Sequence, residues 1–100
     1  MPASKPYRFH PQAWQEVEAA EVWYRQRNYE ASIRFLSEIY DALANLAQWP
    51  ERWPFYQYGT RRFVLHRFPF SVIYRDEPAV VSIVAIAHHK RRPGYWKDRT

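Results

Sequence analysis

A break at Asn28 separates two stretches whose apolar side chains recur at helical spacing, and this most narrows what the chain can fold into. In Gln12–Arg27 the positions Ala13, Val17, Ala20 and Tyr24 share a face, with Trp14 and Glu21 alongside. In Glu30–Gln48 the residues Phe35, Leu36, Ile39, Ala42, Leu43 and Leu46 form one wide apolar stripe. A linker this short predicts an antiparallel helical hairpin. Pro11 suits the first turn of the first helix, where a missing N–H costs nothing. Glu16 and Glu18 lie near its start and Arg25 and Arg27 near its end, as the helix dipole favours. Leu, Ile and Ala at this period are core-forming, so the stripe reads as packing surface and not as the lining of a cofactor slot.

Outside the helices the period falls to two. Tyr7-Arg8-Phe9-His10 reads as a short strand, and Trp49–Gly59, with two prolines and a closing glycine, as a loop. Three strands follow at Thr60–Phe68, Phe70–Arg75 and Val80–Ala87, joined by turns short enough to make antiparallel neighbours. Phe63 and Leu65 face away from Arg62, Val64 and His66, and Phe70, Val72 and Tyr74 away from Ser71, Ile73 and Arg75. The last strand is apolar on both faces and suits a central place. The expected fold is α+β, a helical hairpin packed on an antiparallel sheet in the order β-α-α-β-β-β, as one domain spanning 1–100.

Several chemistries drop out. The chain has no cysteine, so disulfides and thiolate metal sites are excluded. Glycine occurs only at 59 and 94, too few for a phosphate-cradling loop, and no cofactor or metal is expected. The carboxylates are scattered over helix surfaces and read as solvated. There is no apolar leader and no membrane-length run, so a cytoplasmic protein with no membrane partner is expected.

The charge is lopsided. Residues 1–59 carry six Lys or Arg against seven Asp or Glu, whereas residues 60–100 carry nine against three. An acidic partner for the second part follows, either nucleic acid or a negatively charged protein. The basic residues concentrate where the last strand leaves the core, in Ile83–Arg99, which places His88, His89, Lys90, Arg91 and Arg92 just ahead of Tyr95-Trp96. Adjacent histidines on a strand point to opposite faces and cannot easily share a metal. Arg61, Arg62, Arg91, Arg92, Tyr95, Trp96 and Arg99 are the candidate target-binding residues, with the two rings able either to stack on bases or to fold back over the core. Metal-free RNA cleavage needs a base, an acid and cations for the charged transition state. His89, Tyr95 and Arg62 are the candidates for those roles.

In this order and spacing, three segments make the chain resemble the RelE/ParE superfamily of type II toxin–antitoxin toxins. They are the hairpin with Trp23-Tyr24 and Leu43–Pro50 at its helix ends, Arg61–Leu65 running on through Phe68–Tyr74, and Ile83–His88 followed by Arg92–Trp96 and Arg99. The resemblance implies a growth-inhibiting toxin neutralised by a cognate antitoxin with an acidic binding segment. RelE-like members cut mRNA in the ribosomal A site, and ParE-like members poison DNA gyrase. By that resemblance Arg62 matches a basic sheet position of the RelE-like nucleases and Tyr95 their tail tyrosine. Ser71 and His89 stand where those enzymes carry arginines, although a histidine there can act as acid or base. The Ala-His-His-Lys-Arg-Arg-Pro-Gly-Tyr-Trp ending is closer to the ParE side. The expected activity is therefore ParE-like gyrase inhibition, with RelE-like mRNA cleavage and a non-toxic antitoxin-binding relative as alternatives.

Overall fold

The computed structural model describes residues 4–99. Strand β1 (Tyr7–Phe9) leads into helix α1 (Pro11–Arg27) and helix α2 (Tyr29–Gln48). Strands β2 (Arg61–Val64), β3 (Phe70–Asp76) and β4 (Val81–His88) complete the expected order. Pro11 takes the first helical position, and the His10 ring caps the helix by accepting from the Gln12 N–H. Asn28 serves both helices at once. Its N–H donates to the Tyr24 carbonyl at 2.7 Å, closing α1, while its side-chain oxygen accepts from the Ala31 N–H at 3.2 Å, opening α2.

The sheet runs in the order β1-β4-β3-β2, so the apolar last strand is central, as its composition implies. β2, β3 and β4 form the antiparallel meander, but β1 joins β4 in parallel, with Tyr7 opposite Val81 and Phe9 opposite Ile83. The sheet is thus mixed. Alternation marks a strand's faces and is silent on its direction, which here follows from the path of the helical hairpin.

β2 is shorter than its pattern implies. The Glu38 carboxylate of α2 accepts from the N–H groups of His66 and Arg67 at 3.1 and 3.2 Å, drawing the chain off the ladder. Phe68 then turns inward and meets Tyr24 and Phe35 edge-on. In β4 the register slips at Val84, because Ile73 pairs with Ala85 but Tyr74 with Ile83. This bulge places Ile83 and Ile86 against the helices and turns Val84 and Ala85 to the opposite face.

The larger core lies between the helices and the sheet, where Phe35, Ile39, Leu43, Leu46, Val72 and Tyr74 are buried. Burying one such side chain contributes roughly 1.5–3 kcal/mol, so this layer carries most of the fold's stability. Tyr74 buries its ring and donates its hydroxyl to the Pro50 carbonyl at 2.7 Å; burial pushes the phenol up to about 12. A smaller core covers the other face, with Trp96 packed on Ile73, Val84 and Ala85.

Candidate functional site

After His88 the chain folds back as a strap across the open face of the sheet. Successive tight turns carry it, with the Arg91 N–H donating to His88, Tyr95 to Arg92, Lys97 to Gly94 and Arg99 to Trp96 carbonyls. Gly94 sits at φ +81° with the Tyr58 ring 2.9 Å from where a Cβ would stand, so only glycine fits there. Trp96 is 1% exposed. The expectation that it contacts a target is therefore corrected. Its indole fills the space between the sheet and the rings of Tyr56 and Tyr58, and a small second core needs it there.

One carboxylate fastens this strap. Glu16 lies on α1 between Ala13, Val17 and Ala20, so its side chain points at the sheet and not at solvent. β1 ends opposite Ile83 and β4 runs on beyond it, leaving the Ile86 N–H without a strand partner. Glu16 Oε1 accepts that N–H at 2.9 Å. The same carboxylate takes the Tyr95 hydroxyl at 2.5 Å, Arg99 at 2.9 and 3.1 Å, and Arg91 at 3.2 Å. Arg99 also donates to the carbonyl of the bulged Val84 at 3.1 Å. Burial, with the hydrogen bond to Glu16 adding to it, holds the Tyr95 phenol well above its ordinary value. Tyr95 and Arg99 are thus engaged within the fold through Glu16.

This site contradicts the reading of the carboxylates as solvated. The signal was present in the sequence, since 13, 16, 17 and 20 follow the i, i+3, i+4, i+7 rule and put Glu16 among core positions. What it binds is invisible without the tertiary structure.

Between the strap and the meander lies an open bowl of about 350 Å³. Tyr56, Arg62, Ser71, His89, Arg92 and Tyr95 are among its lining. The three catalytic candidates, His89, Tyr95 and Arg62, thus share one cavity. Arg61 does not join them. Its guanidinium donates to the Trp53 carbonyl at 2.7 Å and to that of Glu51 at 3.2 Å and stacks 3.8 Å over Phe55, so it staples the preceding loop. Arg62 lies 4.4 Å over the Tyr56 ring. Among the described residues, Arg62 and Arg92 make no ion pair and remain available to an anion.

The two histidines part as expected. His89 faces the bowl, with Nε2 3.0 Å from the hydroxyl of buried Ser71. His88 meets Phe70 edge-on at 4.9 Å, and its Nδ1 accepts from the Lys90 N–H. Burial, together with the nearby His89 and Lys90, holds the His88 imidazole below its ordinary value. It therefore stays neutral at pH 7. Among the described residues no three His, Asp or Glu side chains gather as metal ligands, and no helix is long and apolar enough to cross a membrane.

No curated protein matches the chain. Among solved structures, a chromosomal ParDE TA system from P. aeruginosa is similar in fold, with a TM-score of 0.74 and 20% identity, covering 85% of this chain and 96% of that one. Residues 7–93 match the family model described as the ParE toxin of the type II toxin-antitoxin system, parDE, and the chain belongs to that family.

Proposed function

We propose that this toxin arrests growth by poisoning DNA gyrase in the cytoplasm, and that a cognate antitoxin with an acidic binding segment neutralises it. The contact between Ser71 and His89 carries the reading. Superfamily nucleases are expected to place arginines at both positions, and here a hydroxyl and an imidazole meet at 3.0 Å. Loss of one preorganised transition-state donor costs on the order of 10²–10³ in rate, and two positions are affected. Tyr95 is a poor proton carrier as well, because its hydroxyl is committed to Glu16 and its phenol is hard to ionise. What remains in the bowl is binding chemistry, with Arg62 and Arg92 as its free cations.

Purified protein incubated with gyrase and supercoiled DNA should make cleaved DNA accumulate while ribosome-bound mRNA stays intact. Paired replacement Arg62→Ala and Arg92→Ala should abolish the effect. The opposite pattern, A-site mRNA cuts that vanish with His89→Ala or Tyr95→Phe, would make the protein a nuclease. Normal growth on expression without antitoxin would make it a non-toxic relative.

A further inference from the structure

Another cavity, of about 470 Å³, lies beyond the strap from the bowl. Strap residues up to Trp96 line the bowl, whereas Lys97 and Arg99 line this one. Its floor is a row across three strands. Arg8 of β1 pairs with Ser82 of β4, and Arg75 of β3 pairs with the same Ser82. Paired residues share a face of a sheet, so two guanidinium groups flank one hydroxyl. The placement of β1 beside β4 is what brings Arg8 into this row.

The cations here outnumber their partners. Arg75 is half-buried and donates only to the carbonyls of Arg99 at 3.3 Å and Tyr58 at 3.4 Å. The Lys97 side chain is exposed and makes no ion pair among the described residues. Glu77 is the one carboxylate on the lining. It accepts from the Ser82 hydroxyl at 2.7 Å and holds Arg8 only loosely, at 3.9 Å. Arg99 is neutralised by Glu16, which leaves Arg8, Arg75 and Lys97 facing Glu77 alone. His10 adds a donor to the same lining. Its Nδ1 accepts from the Gln12 N–H, so the neutral ring carries its proton on Nε2.

We propose that this cavity is a phosphate site, seating a phosphoryl group over Ser82 between Arg8 and Arg75, with Lys97 closing from the strap. Converging cations beside a hydroxyl match a doubly charged, many-oxygen anion better than a single carboxylate. A small phosphate ligand and a nucleic-acid backbone present the same oxygens to such a site. The inference stands on this cavity alone, so its failure leaves the gyrase reading of the bowl untouched.

The test is an NMR titration of the isotope-labelled protein with inorganic phosphate, with acetate at matched ionic strength as the reference anion. The Ser82 and Arg75 amide signals and the His10 ring should move with phosphate and stay in place with acetate. Arg75→Ala should weaken phosphate binding by about tenfold. Lys97→Ala, which removes an exposed side chain with no ion pair to lose, should weaken it by about threefold. Glu77→Gln keeps an acceptor for Ser82 but removes the opposing charge, and should tighten binding by about threefold. Arg34→Ala, the same charge loss at a surface cation of α2 paired with Glu30, should change nothing. A short DNA duplex at equal phosphate concentration separates the two sources. Duplex-induced shifts that vanish in Arg75→Ala assign the site to a nucleic-acid backbone, and shifts with phosphate alone assign it to a small ligand. Ser82 shifts that are absent with both, equal with acetate, or unaltered by Arg75→Ala and Lys97→Ala overturn the proposal.

Discussion

The two faces of this sheet are covered by different means. On one face the helices bury a continuous apolar layer, Phe35 to Leu46 against Val72, Tyr74, Ile83 and Ile86. On the other, the strap after His88 holds down a far smaller core, and its anchor is a carboxylate on the opposite side of the sheet edge. The first cover is non-directional and tolerant, because area removed from water sets its strength. The second is directional, since Glu16 must meet the Ile86 N–H, a phenol and two guanidinium groups together. A functional surface beside the strap therefore inherits its geometry from a handful of polar contacts, and the helices supply the stability that lets those contacts be specialised.

The sharpest way to break this comparison is to damage each cover separately. Phe35→Ala, at a fully buried ring packed against Tyr24, Phe68 and Phe70, should cost about 3–5 kcal/mol in urea denaturation. Glu16→Gln leaves Arg99 buried with a neutral partner and should cost less, about 1.5–3 kcal/mol. That variant should also expose Trp96, visible as a red-shifted tryptophan emission well below the unfolding midpoint. A Glu16→Gln cost equal to that of Phe35→Ala would mean the strap is as structural as the hairpin.

The pH dependence sharpens the contrast further. The folded-state pKa of His88 is depressed by burial, so its contribution to stability is present above the unfolded value of about 6.5. It is lost as pH falls from there through the depressed value. Thermal melts taken from pH 7.5 downward should therefore show a smaller loss in His88→Gln than in the wild type over that window. The smallest effect belongs to the bowl. Arg62→Ala and Arg92→Ala should each change stability by no more than about 0.5 kcal/mol, since neither makes an ion pair among the described residues, while target inhibition falls. Equal losses of stability and inhibition would recast those arginines as structural.

The helical hairpin was legible because its information is local. Stripe, Pro11 and Asn28 are all read within a few residues, and helix bounds follow to within a residue. The strands were legible as strands, yet the end of β2 was not, because Glu38 lies 28 residues from His66 and no local pattern links them. The parallel placement of β1 was hidden for the same reason. Of the candidate site, the sequence marked the segment that lines the bowl but not the division of labour within it. Arg61, Arg62, Arg91, Arg92 and Arg99 look alike as letters, and their partners separate them. Arg61 holds a loop, Arg91 and Arg99 serve Glu16, and Arg62 and Arg92 stay free.

By itself the sequence determined the element order, the faces of most elements, the basic character of the second half and the family resemblance. These depend on periodicity and composition, which survive without coordinates. Only the tertiary structure decided that Trp96 is core, that Glu16 is the clasp of the tail, and that Ser71 and His89 satisfy each other. Each of these is a contact between residues far apart in the chain, and the energy of such a contact depends on distance and burial, which no stretch of letters contains.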